Sequence, residues 1–235
     1  MIMNSMITDR AAMIESLRGG LIVSCQAYPG DPLFDAEAMR RMAESAVLGG
    51  AVGIRAKGLA DIGLIKQSVT VPLIGLVKIG SDGVYITPTV DHAVAVAEAG
   101  ADIVAIDGTR RPRPDGLDLE QTIAAIHDRT DALVLADVGD LQDGLASATA
   151  GADLISTTLA GYTSSRPTGD GPDIDLVTEL APAVGVPVLA EGRVRTLDQA
   201  RACVQAGAYA VVVGTAITHP TSITRWFAEA LKEEL

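Results

Sequence analysis

Aromatic side chains are scarce in this chain: one Trp, two Phe and four Tyr make up 3% of 235 residues. A core must therefore come from Ala, Val, Ile and Leu, the bulk of a 48% apolar composition. Cysteine is as rare. Cys25 and Cys203 have no paired spacing and no metal-ligand pattern, which predicts free buried thiols, a reducing compartment and no metal site. Basic residues are also few. With 18 Lys and Arg against 30 Asp and Glu, the net charge of −12 excludes a nucleic-acid or membrane-surface partner, since both require a basic face. A small anion can bind only where local arginines oppose that field. The N-terminal Met-Ile-Met-Asn-Ser-Met lacks the basic flank and apolar run of a signal peptide, and no strand is long enough to span a bilayer. The expected location is cytoplasmic.

What the chain does contain is a repeat. Four times a glycine-led turn opens into an apolar run, at 49–55, 99–107, 150–156 and 206–214, with the second glycine at Gly50, Gly100, Gly151 and Gly207. Each glycine can take the left-handed conformation that ends a helix, and the run that follows is apolar on both faces, as in a parallel sheet covered by helices. Four weaker strands alternate with these, at Leu21–Ser24, Leu73–Lys78, Ala132–Asp137 and Val186–Glu191. Two of them begin with Val-Pro, at Val71-Pro72 and Val186-Pro187, where proline does no harm at a strand start.

Helical patterns fill the intervals, at about 35–48, 59–68, 89–99, 118–129, 141–150, 173–184, 196–206 and 220–232. Asp35, Thr89 and Thr196 stand where N-caps belong. Eight alternations predict one (β/α)8 TIM barrel over residues 1–235, with a short N-terminal helix near 8–18 covering its bottom. A doubly wound open sheet is the alternative. The two-unit period favours closure, because a barrel interior is lined in layers by alternate strands.

In a barrel the chemistry sits at the C-terminal strand ends. Those ends carry Gln26, Arg55, Lys78, Asp107, Asp137, Thr157 with Thr158, Glu191 with Arg193, and Gly214 with Thr215. Lys78 ends an apolar strand, so it reads either as a salt-bridge partner of Asp107 or Glu191 or as a desolvated base or Schiff-base amine. Asp137 and Glu191 can hold or relay a proton beside that amine. Arg55 can offer a fork of donors to an oxygen. Gly192, Gly214 and Thr215 lie in the loops after strands seven and eight, the usual phosphate site of this fold, with His219 just beyond. The basic loop Arg110–Gly116 reads equally as a flap over an anion or as a solvated turn. His92 and His127 read as ordinary surface residues of helices.

The segments at 20–27, 49–56, 72–78, 85–89, 105–109, 156–163, 190–193 and 212–218 together resemble the N-acylglucosamine-6-phosphate 2-epimerases, also called N-acetylmannosamine-6-phosphate 2-epimerases, of bacterial sialic acid catabolism. The resemblance runs almost end to end. It implies cofactor-free and metal-free inversion at C2 of an N-acetylhexosamine 6-phosphate. It further implies that Lys78 exchanges the C2 proton, that Glu191 is the partnering acid/base, and that Asp137 and Arg55 orient these groups and the sugar. Gln26, Asp107, Thr157 and Arg193 would bind substrate; Gly192, Gly214, Thr215 and His219 would hold its phosphate. His219 stands where the family often has Arg, and the loop after Lys78 is shorter than is usual in the family. A Schiff-base aldolase or other phosphosugar isomerase, and a non-catalytic phosphosugar sensor, are the competing functions. Ala-rich outer helices are compatible with a homodimer.

Overall fold

The computed structural model describes residues 10–232. Eight parallel strands close on themselves in sequence order, and this closure rules out the open sheet. They are β1 Leu21–Cys25, β2 Gly53–Lys57, β3 Leu73–Leu76, β4 Ile103–Asp107, β5 Leu133–Asp137, β6 Leu154–Ser156, β7 Val188–Glu191 and β8 Ala210–Val213. After a first helix, α1, at 10–16, the outer layer holds α2 Ala36–Leu48, α3 Leu59–Lys66, α4 Val90–Glu98, α5 Leu119–Arg129, α6 Leu141–Thr149, α7 Ile174–Leu180, α8 Leu197–Gln205, α9 Thr215–Thr218 and α10 Pro220–Ala230. The glycines of the repeat do what their positions predict: Gly50, Gly100, Gly151 and Gly207 all have φ between 95° and 111°. Asp35, Thr89 and Thr196 cap α2, α4 and α8 by accepting from Ala38, His92 and Gln199 backbone N–H groups.

Side-chain alternation along each strand divides the core in two. Ile54, Ala56, Val104, Ile106, Val134 and Ala136 face the helices. Ile22, Ile74, Ile103, Leu133, Leu135, Leu154, Leu189 and Val212 fill the barrel. Leu17 is fully buried at the base of this inner cluster, with Met13 and Ile14 packed beside it, so the segment from α1 plugs the bottom as expected. A side chain at Gly53 would meet Leu17 at 3.0 Å, which explains the glycine on the inner face of β2. Residues 8 and 9 of the expected helix lie outside the described residues, and 17–19 form a turn.

Several elements differ from expectation: α3 and α10 end at Lys66 and Ala230, short of 68 and 232, and α9 is additional. Strand β3 ends at Leu76 and not at Lys78, because the chain leaves the barrel and folds back: Lys78 bridges Ile86 antiparallel, Ile79 N–H donates to the Tyr85 carbonyl, and Thr87 N–H donates to the Val77 carbonyl. Helix α7 stops at Leu180, short of 184. Helix α10 buries none of its residues; Phe227 is 72% exposed. An apolar groove of about 780 Å³, bordered by Leu21, Leu197, Val204, Val211 and Ile217, stays uncovered by the described residues. Cys25 in β1 and Cys203 in α8 are both free and buried, and burial pushes their thiols up to about 12 and about 11.

Candidate active site

The inner-face positions that are apolar low in the barrel become polar at its top. Counting by twos from Ile22, Ile103, Leu133, Leu154 and Leu189 reaches Ser24, Asp107, Asp137, Ser156 and Glu191; from Gly53 it reaches Arg55. A cavity of about 260 Å³ opens over this layer. Gln26, Arg55, Lys78, Glu191, Gly192, Arg193, Gly214, Thr215 and His219 all line it, so the structure brings most of the expected residues to one mouth. Ser24, Tyr28, Tyr85, Thr158 and Tyr162 line it too.

Beneath Lys78 lies a buried ionic cluster. Arg55 Nη1 and Nη2 donate to Asp137 Oδ1 and Oδ2 at 3.0 and 2.6 Å, and Nη1 also lies 2.8 Å from Glu191 Oε2. Burial opposes the Arg55 charge, yet the two carboxylates hold its pKa above the ordinary value. Both its terminal nitrogens are thus occupied. Arg55 fixes carboxylates here; it does not present a free fork to a sugar oxygen. Asp137 is fully buried behind this arginine and is held further by Thr158 Oγ1 at 2.7 Å.

Lys78 makes no ion pair among the described residues, which disposes of its reading as a salt-bridge partner of Asp107 or Glu191. Desolvation lowers its pKa, with the Arg55 and Lys57 cations adding to the effect and Glu191 and Asp137 opposing it. Glu191 is displaced the other way. Desolvation raises its pKa, Arg55 counteracts, and Asp137 raises it further. The cavity thus holds an amine biased toward its neutral form and a carboxyl biased toward its protonated form.

Other expected residues stand elsewhere. Asp107 does not reach the cavity: its carboxylate accepts from Thr109 N–H and Oγ1 and pairs with Arg111 at 2.6 Å. Thr157 turns away as well, its hydroxyl bonded to the Glu191 backbone at both N–H (3.0 Å) and carbonyl (2.9 Å). Period-two counting through Leu154 and Ser156 points to Thr158 as the inward threonine, and that signal was present in the sequence. Arg193, at φ 55°, donates to the Ala160 and Gly171 carbonyls and packs over the Tyr162 ring. His219 caps α10; its Nδ1 meets Ser222 Oγ at 2.7 Å and its Nε2 meets Asp31 at 3.1 Å, so both ring nitrogens are engaged. Gln26 donates to Ser24 Oγ at 2.9 Å and keeps its amide oxygen for other partners. The basic loop does not line the cavity and is largely solvated, with Pro112, Pro114, Asp115 and Gly116 exposed, but its arginines are engaged: Arg110 pairs with Asp140 and Asp143, Arg111 with Asp107, and Arg113 is buried against the Asp107 carbonyl. His127 is no plain surface residue either, since its Nε2 lies 2.9 Å from Asp153.

Comparison with known proteins decides the family. The family described as "Putative N-acetylmannosamine-6-phosphate epimerase" matches residues 39–233. The chain belongs to this epimerase family. A relative from Cutibacterium acnes, named for the same 2-epimerase, is 55% identical over 96% of this chain and 98% of its own. One from Caldanaerobacter subterraneus, with the same name, is 48% identical over 94% of each chain. The solved N-acetylmannosamine-6-phosphate 2-epimerase of Clostridium perfringens superposes with a TM-score of 0.89 at 38% identity, covering 93% of this chain and 96% of that one. A thiamine phosphate pyrophosphorylase from Pyrococcus furiosus shares only the barrel, with a TM-score of 0.60 at 18% identity.

Proposed function

We propose that this member of the epimerase family interconverts N-acetylmannosamine 6-phosphate and its C2 epimer, N-acetylglucosamine 6-phosphate, by removing and returning the C2 proton. The observation that carries the reading is the opposed bias of Lys78 and Glu191 in one cavity, in a chain whose relatives are named for this reaction.

The C2 proton is acidic only in the open-chain aldehyde, so ring opening comes first, with a proton moved from the C1 hydroxyl to the ring oxygen. Glu191, protonated, serves that step and then donates to the aldehyde oxygen. Lys78, neutral, takes the C2 proton as electrons pass to that oxygen. A gap of about 10 pK units between carbon acid and amine corresponds to about 14 kcal/mol. Donors aimed at the developing enolate oxygen must offset much of it, and the Gln26 amide proton not given to Ser24, together with protonated Glu191, is available in the cavity wall. Arg55 and Asp137 contribute indirectly, by fixing Glu191. A solvent molecule then protonates C2 on the opposite face as the enol proton returns to Glu191, and Lys78 gives its proton back to solvent, which completes the epimer and resets both groups.

The loops after β7 and β8 carry the phosphate in this reading, through Gly192, Gly214 and Thr215 backbone groups, with Arg193 supplying nearby positive charge. Asp107 and Thr157 act from behind the wall, as supports for Arg111 and the Glu191 backbone. His219 shapes the rim by holding the loop after β1 through Asp31.

The protein acts as one domain in the cytoplasm and as a homodimer. Support for the dimer comes from the exposed apolar face of α10 and the uncovered groove beside β1 and β8, which a second copy would bury. Among the described residues no helix is long and apolar enough to cross a membrane. Proton NMR of the full chain with N-acetylmannosamine 6-phosphate tests the activity: appearance of the C2 epimer is expected, and an unchanged spectrum contradicts it.

A further inference from the structure

The two oxygens of the Glu191 carboxyl group have different surroundings. Oε2 lies 2.8 Å from Arg55 Nη1, 3.0 Å from Thr158 Oγ1 and 3.4 Å from Ser156 Oγ. Among the described residues, Oε1 has no hydrogen-bond partner and belongs to a side chain that lines the cavity. The Thr158 hydroxyl is itself contested. It stands 2.7 Å from Asp137 Oδ1 and 2.8 Å from Ser156 Oγ. A hydroxyl has one proton to donate, so Thr158 can serve one carboxylate at a time.

We propose that Thr158 is a positioning residue for Glu191: with Arg55 it secures Oε2, and so reserves Oε1 as the oxygen that exchanges a proton with substrate. When Glu191 is ionised, Thr158 donates to Oε2. When Oε1 carries the proton, Oε2 is a carbonyl oxygen and the weaker acceptor, and the hydroxyl turns its proton to Asp137. Rotation of one O–H bond thus follows the charge of Glu191 while the carboxyl group stays in place. The charged and titratable groups around Glu191 are Arg55 on β2, Asp137 on β5, Lys78 beyond β3 and Tyr28 after β1. Among the described residues, Lys78 and Tyr28 make no hydrogen bond to the Glu191 carboxyl group. Arg55 is a donor only, and Asp137 is already held by it. The inference rests on the acid/base role proposed for Glu191.

The test is a titration of full-length protein labelled with carboxyl-13C glutamate, the Glu191 resonance being assigned by its loss in Glu191→Gln. Removing the hydroxyl in Thr158→Val takes a donor from the ionised carboxylate, so the Glu191 midpoint should rise by about one pH unit. The kcat should fall about tenfold, with KM within about twofold of wild type. Thr158→Ser, which keeps the hydroxyl, should restore both midpoint and kcat. Thr158→Ala should match valine, which covers the case in which valine disturbs packing. A midpoint unmoved in folded valine and alanine variants overturns the inference, as does a serine variant that titrates like valine. Wild-type turnover in Glu191→Gln would instead remove the acid/base role of Glu191, whatever the midpoints show.

Discussion

Arg55 and Asp137 lie on facing walls of the barrel, 82 residues apart in sequence, and meet through two parallel hydrogen bonds with side chains 1% and 0% exposed. Closure of the barrel brings β2 opposite β5, so the pair exists only in the complete fold. An ion pair this deep is costly to desolvate and contributes little over an apolar pair of similar size. Its use is to fix two carboxylates under the catalytic cavity.

Breaking the pair should therefore be worse than never having had it. Asp137→Ala leaves the Arg55 charge buried with Glu191 as its one remaining acidic partner among the described residues, and should cost about 3–5 kcal/mol of stability. Urea denaturation measures this. A loss below about 1 kcal/mol would show that solvent reaches the site and screens the charge.

The pH profile follows from the displaced pKa values of the two cavity groups. In the proposed reaction Lys78 acts when neutral, and its lowered pKa makes that form available earlier as pH rises; the acid limb of kcat/KM should have its midpoint below the ordinary lysine value of about 10.4. Glu191 in that reaction acts when protonated, and its raised pKa should keep it active above the usual carboxylate range of about 4.3, with rate lost as pH climbs past it. An acid limb at or above the lysine value would contradict the desolvated amine.

The competing aldolase reading is separable by trapping. A Schiff base between Lys78 and a sugar aldehyde would be fixed by borohydride as a stable adduct. We expect mass spectrometry after reduction to find unmodified Lys78; stoichiometric labelling there would favour covalent chemistry.

Dimerisation can be probed on the exposed face of α10. The wild-type chain should sediment at twice its own mass, and Phe227→Glu should shift it to the monomer with the barrel intact. A wild-type monomer at micromolar concentration would refute the homodimer.

Much of this was legible in the sequence because it depends on local rules. The repeat of glycine and apolar run located four strands and the weaker apolar runs between its copies the other four, and alternation along them places Arg55, Asp137 and Glu191 on the inner face. What eluded sequence reasoning depends on contacts between distant segments. Nothing local to Leu73–Lys78 reveals that residues 77–79 pair backwards with 85–87, so Lys78 reads as a strand end when it sits on a fold-back. Asp107 looked like a ligand because it ends a strand, but Arg111 and Thr109 satisfy it four and two residues on. Thr157 and Thr158 differ only in parity, and the 3-10 turn at Thr157–Leu159 makes that parity hard to trust without coordinates.

In the proposed reaction Lys78 exchanges the C2 proton of the sugar. Incubation with N-acetylmannosamine 6-phosphate in deuterated water, read by NMR, measures it directly. The wild-type chain should place deuterium at C2 as the epimer forms, and folded Lys78→Ala should place none. Epimer formed without deuterium at C2, or exchange by Lys78→Ala at the wild-type rate, would contradict the account.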